Sequence, residues 1–226
     1  MIGPADISAL WVTLKLAFVT MSILLVLAMP LSWWLARARF RGKAAIEALV
    51  ALPLVLPPTV LGFYLLMALS PQGMVGRLFA ALGGAAPAFS FSGLVIGSCL
   101  YSLPFAVQPM RDAFAAIPAR TLEAAATLRA GPWRRFRTII LPLAAPGILT
   151  AAILSFAHTL GEFGVVLMIG GNIPGRTRVL SIAIYDHVEA LEYANAHALS
   201  AGLLVLSFLL LLAVYGLGWR MGARRP

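Results

Sequence analysis

Four polar side chains stand close together in an otherwise apolar run: Ser155, His158, Thr159 and Glu162. Counted from Ser155 they recur after three, four and seven residues, so a helix would carry them along one face, and that face should look inward. An ionisable group within a membrane span is costly and is a functional candidate for that reason. Two readings follow. The stripe lines or gates a path for a polar solute, or Glu162, near the outer end of its helix, satisfies backbone amides or a neighbouring helix and holds Gly161 and Gly164 in place. Against the first, two unit charges about 4 Å apart repel by about 4 kcal/mol at an effective dielectric of about 20, so an ionised acid would oppose a passing dianion. Hydroxyls, backbone amides and helix N-termini serve an oxyanion better. His158, a lone histidine, reads equally well as a packed polar residue.

These residues do not form a catalytic set. The sequence pairs no nucleophile with a base and brings no two carboxylates to one site. A GxxxxGK[ST] phosphate loop is absent, because the Gly42-Lys43 pair lacks the upstream glycine. The chain is therefore read as neither an enzyme nor its own ATPase, with no cofactor of its own. In the segment 170–197, Arg176 and Arg178 either meet an acidic partner or attract an oxyanion, or belong to an ordinary exposed loop. His187 and His197 stand near Asp186, Glu189 and Glu192, where a metal site is conceivable, and Cys99 has no partner for a disulfide.

The elements that position these groups follow from composition. Of 226 residues, 61% are hydrophobic and only 11% charged, with a net charge of +9 and a mean hydropathy of +0.94, far more apolar than a soluble domain. The positive charge lies in short clusters at the ends of apolar runs, where it orients a membrane protein and does not mark a nucleic-acid surface. An all-α polytopic membrane domain is expected over the whole chain. Its five spans fall at about 12–36, 46–69, 89–110, 143–169 and 198–219, each near the roughly 20 residues that cross a bilayer. The first is not a signal peptide, since no Lys or Arg precedes it and the run is too long. Pro53, Pro57 and Pro58 should kink the second span, with the freed carbonyls facing protein. Residues 70–87 read as an external loop with a short amphipathic turn. Gly93 and Gly97 have the spacing that lets two helix backbones approach.

Sorting the basic residues orients the chain. Arg37, Arg39, Arg41, Lys43, the six arginines from Arg111 to Arg137, Arg220, Arg224 and Arg225 share one side; Lys15, Arg77, Arg176 and Arg178 take the other. By the positive-inside rule the N-terminus is periplasmic and the C-terminus cytoplasmic, with the loop 111–142 in the cytoplasm and the loop 170–197 outside. A sixth span would reverse part of this.

The cytoplasmic loop contains a second candidate site. Pro118 suits a first helical turn, residues 121–129 are good helix formers, and Gly131 with Pro132 supplies a stop. Leu122, Ala125 and Arg129 share a face that small alanines leave shallow enough to seat in a groove. Further on, Trp133, Phe136 and Ile140 recur at helical spacing with Arg134, Arg135 and Arg137 around them. That pattern suits a helix at the lipid headgroups before the chain turns into the membrane at Pro142. A polar connector without a partner is the alternative.

Glu123, Ala124 and Ala125, followed after a gap by Ile139, Leu141 and Pro142, resemble the EAA signature of the membrane subunits of ATP-binding-cassette importers. The resemblance implies a coupling helix between the third and fourth spans that docks on a cytoplasmic ATP-binding subunit. It draws in Arg120, Thr121, Leu122, Glu123, Ala124, Ala125, Arg129 and Gly131. The pattern expects glycine where this chain has Arg129, and the glycine two residues later points to a turn displaced toward Gly131. The segments ALPLVLPPTVLG, TLGEFG and NIPGRTR look like those of molybdate importer permeases; sulfate and tungstate permeases are similar in the first two. The resemblance spans nearly all of residues 10–219. It implies a homodimer in the bacterial cytoplasmic membrane, with ATP and Mg on the partner subunit and an oxyanion-binding protein outside. An ion-gradient-driven transporter or channel acting without an ATPase is the reading of a different class.

Overall fold

A computed structural model describes residues 3–222, and within them the chain is helical without strands. In order it forms α1 (Pro4–Arg37), α2 (Lys43–Ala51), a 3-10 turn (Leu52–Leu54), α3 (Pro58–Leu69), α4 (Met74–Ala81) and α5 (Phe91–Ala115). There follow α6 (Ala119–Thr127), α7 (Pro132–Arg135), a π-helical turn (Phe136–Ile140), α8 (Leu141–Leu160), α9 (Gly164–Gly170), α10 (Leu180–Glu189) and α11 (Tyr193–Gly222). Arg224 and Arg225, counted in the charge sorting, lie outside the described residues.

Five stretches among the described residues are long and apolar enough to cross a membrane: Pro4–Arg37, Pro58–Ala81, Phe91–Ala115, Pro132–Leu160 and Tyr193–Ala213. The number is the expected one, and the bounds of the first, second and fourth are not. The first helix is 34 residues long, about 51 Å at 1.5 Å per residue, so it overhangs a hydrocarbon layer of about 30 Å. Its first turn is closed by Gly3 N–H, which donates to Asp6 Oδ2 at 2.8 Å, and Pro4 occupies a position whose N–H has no helical acceptor.

The second span does not run through 46–69 as a kinked helix. Pro53, Pro57 and Pro58 remove three donors within six residues, and the backbone breaks into α2, the 3-10 turn and α3. The apolar stretch begins only at Pro58, and α4 continues it after a turn.

The fourth span differs at both ends. Pro132–Leu160 runs on as one helical stretch, so the chain enters without turning at Pro142. Around the π turn Leu141 N–H donates to Phe136 O, and Pro142 next to it has no N–H to offer, so the hydrogen-bond ladder changes register there. At the other end α8 stops at Leu160 and the chain resumes as α9 at Gly164. Residues 143–169 are therefore a helix, a break and a second short helix.

The main core lies where α1, α5 and α8 pack together. Leu24, Ala28 and Leu35 meet Ala106, Val107, Met110 and Phe114, with Ala144 and Ala151 opposite. Small residues let these backbones come close, which replaces the hydrophobic driving force that lipid does not supply. The Gly93 and Gly97 pair finds its neighbour in α9: a Cβ built on Gly97 would lie 2.5 Å from Ile169 Cδ1.

Candidate functional site

The break between α8 and α9 borders a cavity of about 590 Å³. Pro58 and Thr59 from α3, Tyr101 from α5, and His158, Glu162 and Met168 form its wall. Of the four residues in the polar stripe, only His158 and Glu162 reach it. Ser155 and Thr159 are buried in the bundle. The Ser155 hydroxyl donates to Ala151 O at 2.7 Å, and that of Thr159 donates to Ser155 O at 2.9 Å, which spends both donors on their own helix. The expectation of one continuous polar lining therefore does not describe this geometry.

His158 is held in place by three neighbours. Its ring stacks on Phe105 with centroids 4.1 Å apart, Tyr101 lies 4.7 Å away, and Nδ1 stands 2.9 Å from Ser102 Oγ. The Ser102 hydroxyl also lies 3.1 Å from Thr159 Oγ1, which ties α5 to α8.

Glu162 is 4% exposed, and neither carboxyl oxygen has a hydrogen-bond partner among the described residues. The alternative in which its carboxylate satisfies backbone amides is not what the structure contains. From the neighbouring α5 the Ser98 hydroxyl stands by the carboxyl, and the backbone is tied through Ser181 Oγ donating to Glu162 O at 2.5 Å. The neighbouring Gly164 is set by packing: a Cβ there would come 2.7 Å from Pro58 Cβ.

The second site is α6 and its exit. Arg129 adopts φ +56°, a left-handed conformation that glycine takes without strain. Its N–H donates to Ala126 O at 2.9 Å, and Ala130 N–H donates to Ala125 O at 3.1 Å, the paired bonds of a Schellman helix end. The turn is therefore not displaced toward Gly131. Arg129 itself occupies the left-handed position, while Gly131 has φ −62° and opens α7.

The face expected to seat in a groove is also reversed. Thr121 and Leu122 are half-buried and Ala125 is buried, and Leu122 packs on the main core beside Phe136. Arg120, Glu123, Ala124 and Arg129 are exposed, and so is Leu128, at 82%. The outward face is thus 120, 123, 124 and 127, followed by Leu128. A cavity of about 230 Å³ between Trp33, Leu122, Arg135 and Phe136 lies beneath the helix. The Arg37 guanidinium donates to Phe114 O at 3.3 Å and Ile117 O at 3.1 Å, fixing the end of α5 just before α6. In the sequence Arg37 carries only an orientation signal, because its carbonyl partners lie about eighty residues away.

In the outer loop Arg178 is committed internally. Its Nε donates to Asn172 Oδ1 at 2.7 Å and its guanidinium lies 3.4 Å from Asp186. Arg176 is exposed. His187 lies between Asp6 at 2.9 Å and Glu192 at 2.8 Å. Hydrogen bonding to Asp6, with Glu192 adding to it, raises the imidazole above its ordinary value. Among the described residues no three of His, Cys, Asp and Glu come together to hold a metal, and His197 is exposed.

Comparison with known proteins adds to this geometry. Residues 28–221 match the family described as binding-protein-dependent transport system inner membrane component. The molybdenum transport system permease protein ModB of Azotobacter vinelandii is 60% identical over 210 residues, 93% of each chain. The sulfate transport system permease protein CysT of Salmonella typhimurium is 34% identical over 98% of this chain and 80% of its own. A crystal structure of a bacterial ABC transporter that imports alginate contains a chain that superposes with a TM-score of 0.77 at 19% identity, covering 96% of this chain and 80% of that one.

Proposed function

The chain belongs to the family of binding-protein-dependent transport system inner membrane components, and from that membership we propose that it is the membrane-spanning permease of an ATP-driven molybdate importer. It is a multi-pass subunit of the bacterial inner membrane and a transport component, with ATP hydrolysed by a partner. The observation that carries the choice of cargo is the 60% identity with a molybdenum permease across 93% of both chains. The sulfate permease at 34% makes sulfate the second reading, and tungstate shares the same tetrahedral dianion chemistry.

The working unit is two copies of this chain, two cytoplasmic ATP-binding subunits and an external oxyanion-binding protein. ATP and Mg belong to the ATP-binding subunits. The exposed Glu123 face of α6 supports docking on that subunit, with Arg120, Ala124 and Arg129 beside it. Since α6 is anchored to the main core through Leu122, a displacement of its outer face would be passed to α1, α5 and α8. The cavity at Glu162 and His158 is our candidate for one half of the path, completed by the second copy. Arg176, exposed in the outer loop, is a cation available to the binding protein. The basic ends of the spans support a cytoplasmic α6.

Reconstitution tests this reading. Purified chain with its ATP-binding subunit and binding protein in vesicles should take up radioactive molybdate only when ATP is supplied, with excess sulfate competing weakly. Uptake without the ATP-binding subunit, driven by an imposed ion gradient, would overturn it.

A further inference from the structure

Glu162 presents a contradiction: the residue is 4% exposed, neither carboxyl oxygen makes a hydrogen bond among the described residues, the Ser98 hydroxyl of α5 that stands by it being equally unpartnered, and yet it borders the cavity proposed for an anion. An ionised carboxylate so placed would lose its hydration and have at most one neutral hydroxyl, that of Ser98, to offset the loss. It would also repel a dianion. Both costs vanish if the group keeps its proton. A neutral carboxylic acid is a hydrogen-bond donor, and an acid held neutral in an apolar pocket can serve an anion as a hydroxyl does.

We propose that Glu162 acts as a neutral acid, and that its O–H donates a hydrogen bond to the tetrahedral oxyanion as it passes the α8–α9 break. This rests on the importer reading above and names the contact within that same cavity. The surroundings fit a single donor for a briefly held anion. The Thr59 hydroxyl and the Tyr101 side chain share the cavity wall, while Pro58, Phe163 and Met168 keep it largely apolar. His158 is already engaged with Ser102. The backbone on either side supplies the means of exposure, since both carboxyl oxygens are shut off from water in this conformation. Gly161 has open space for a side chain, its nearest foreign atom being 4.0 Å away, whereas Gly164 is clamped against Pro58. A rotation at Gly161 that leaves Gly164 seated would turn the acid into the cavity. Transient, weak binding is what a path requires, because an anion held by a full positive charge would not leave.

The test uses the reconstituted transporter with ATP-binding subunit and binding protein, and molybdate as the probe. Glu162→Gln keeps a neutral donor in the same place and should retain uptake within about threefold of the parent. Glu162→Leu removes the donor and should lower uptake by about tenfold or more. Co-purification with the ATP-binding subunit checks assembly of each variant. Parent-level uptake by Glu162→Leu, or a loss in Glu162→Gln as deep as in Glu162→Leu, overturns the neutral-donor role. Should Glu162→Leu not assemble, Glu162→Gln decides, because a carboxylate acting through its charge requires that variant to fail. No ATP-dependent uptake by the parent chain would instead overturn the importer reading.

Discussion

Pro58 and Gly164 touch where α3 meets the start of α9, so closely that a Cβ on the glycine would lie 2.7 Å from Pro58 Cβ. This contact joins the proline-broken second span to the break that carries Glu162. Gly164→Ala should lower thermal stability by about 1–3 kcal/mol, the usual cost of overpacking. Pro58→Gly removes the opposing Cβ, so the double variant should lose less than the sum of the single changes. Melting of the purified protein in detergent measures both, and additive losses would show that the two residues do not press on each other.

Arg129 pays a conformational penalty at φ +56°. Arg129→Gly should therefore stabilise the end of α6 by about 1 kcal/mol, read from melting of the purified protein. Arg129→Val, β-branched at the same φ, should destabilise it. A melting point that falls with glycine would mean that the arginine side chain contributes more than its backbone strain removes.

The two faces of α6 separate docking from folding. Glu123→Lys and Leu128→Asp lie on the exposed face and should weaken association with the ATP-binding subunit by about tenfold or more with little change in melting. Leu122→Ala, on the core side, should instead cost about 1–3 kcal/mol of stability. Pull-down and melting, run on the same samples, distinguish the assignments; a Leu122→Ala protein that melts normally but does not bind would reverse them.

His187 links the first turn of α1 to the α10–α11 corner through Asp6 and Glu192. Its value is raised by those partners, so its contribution to stability is complete below its ordinary value near 6.5 and is lost as pH rises through the raised one. Melting should be level at acid pH and fall as pH rises above about 6.5 through the raised value, and His187→Gln should flatten that slope. An unchanged slope in the variant would assign the pH response elsewhere.

Much of the architecture was legible because lipid imposes it. A spanning helix must be long, apolar and internally hydrogen-bonded, so composition and run length gave five crossers before any coordinates. The segment 118–142 is equally legible as a helical interruption, since charge and good helix formers break into an apolar chain. The prolines of the second span announce a disturbance but not its form, because whether three lost donors bend or break a helix depends on what packs beside them. The polar stripe was read as one face, but its hydroxyls could bond to their own helix, and local periodicity does not weigh that competition.

The sequence alone determined the class, the number of crossers and the charged, helix-forming interruption between the third and fourth of them, because these follow from local hydrophobicity, charge and helix chemistry. Only the tertiary structure decided which way α6 faces, that Arg129 takes the left-handed turn, and that the Glu162 carboxyl is buried without a hydrogen bond among the described residues. It also paired Asp6 with His187, 181 residues apart. Each of these depends on which surfaces come within a few ångströms of one another, and packing among distant helices, not spacing along one of them, sets that.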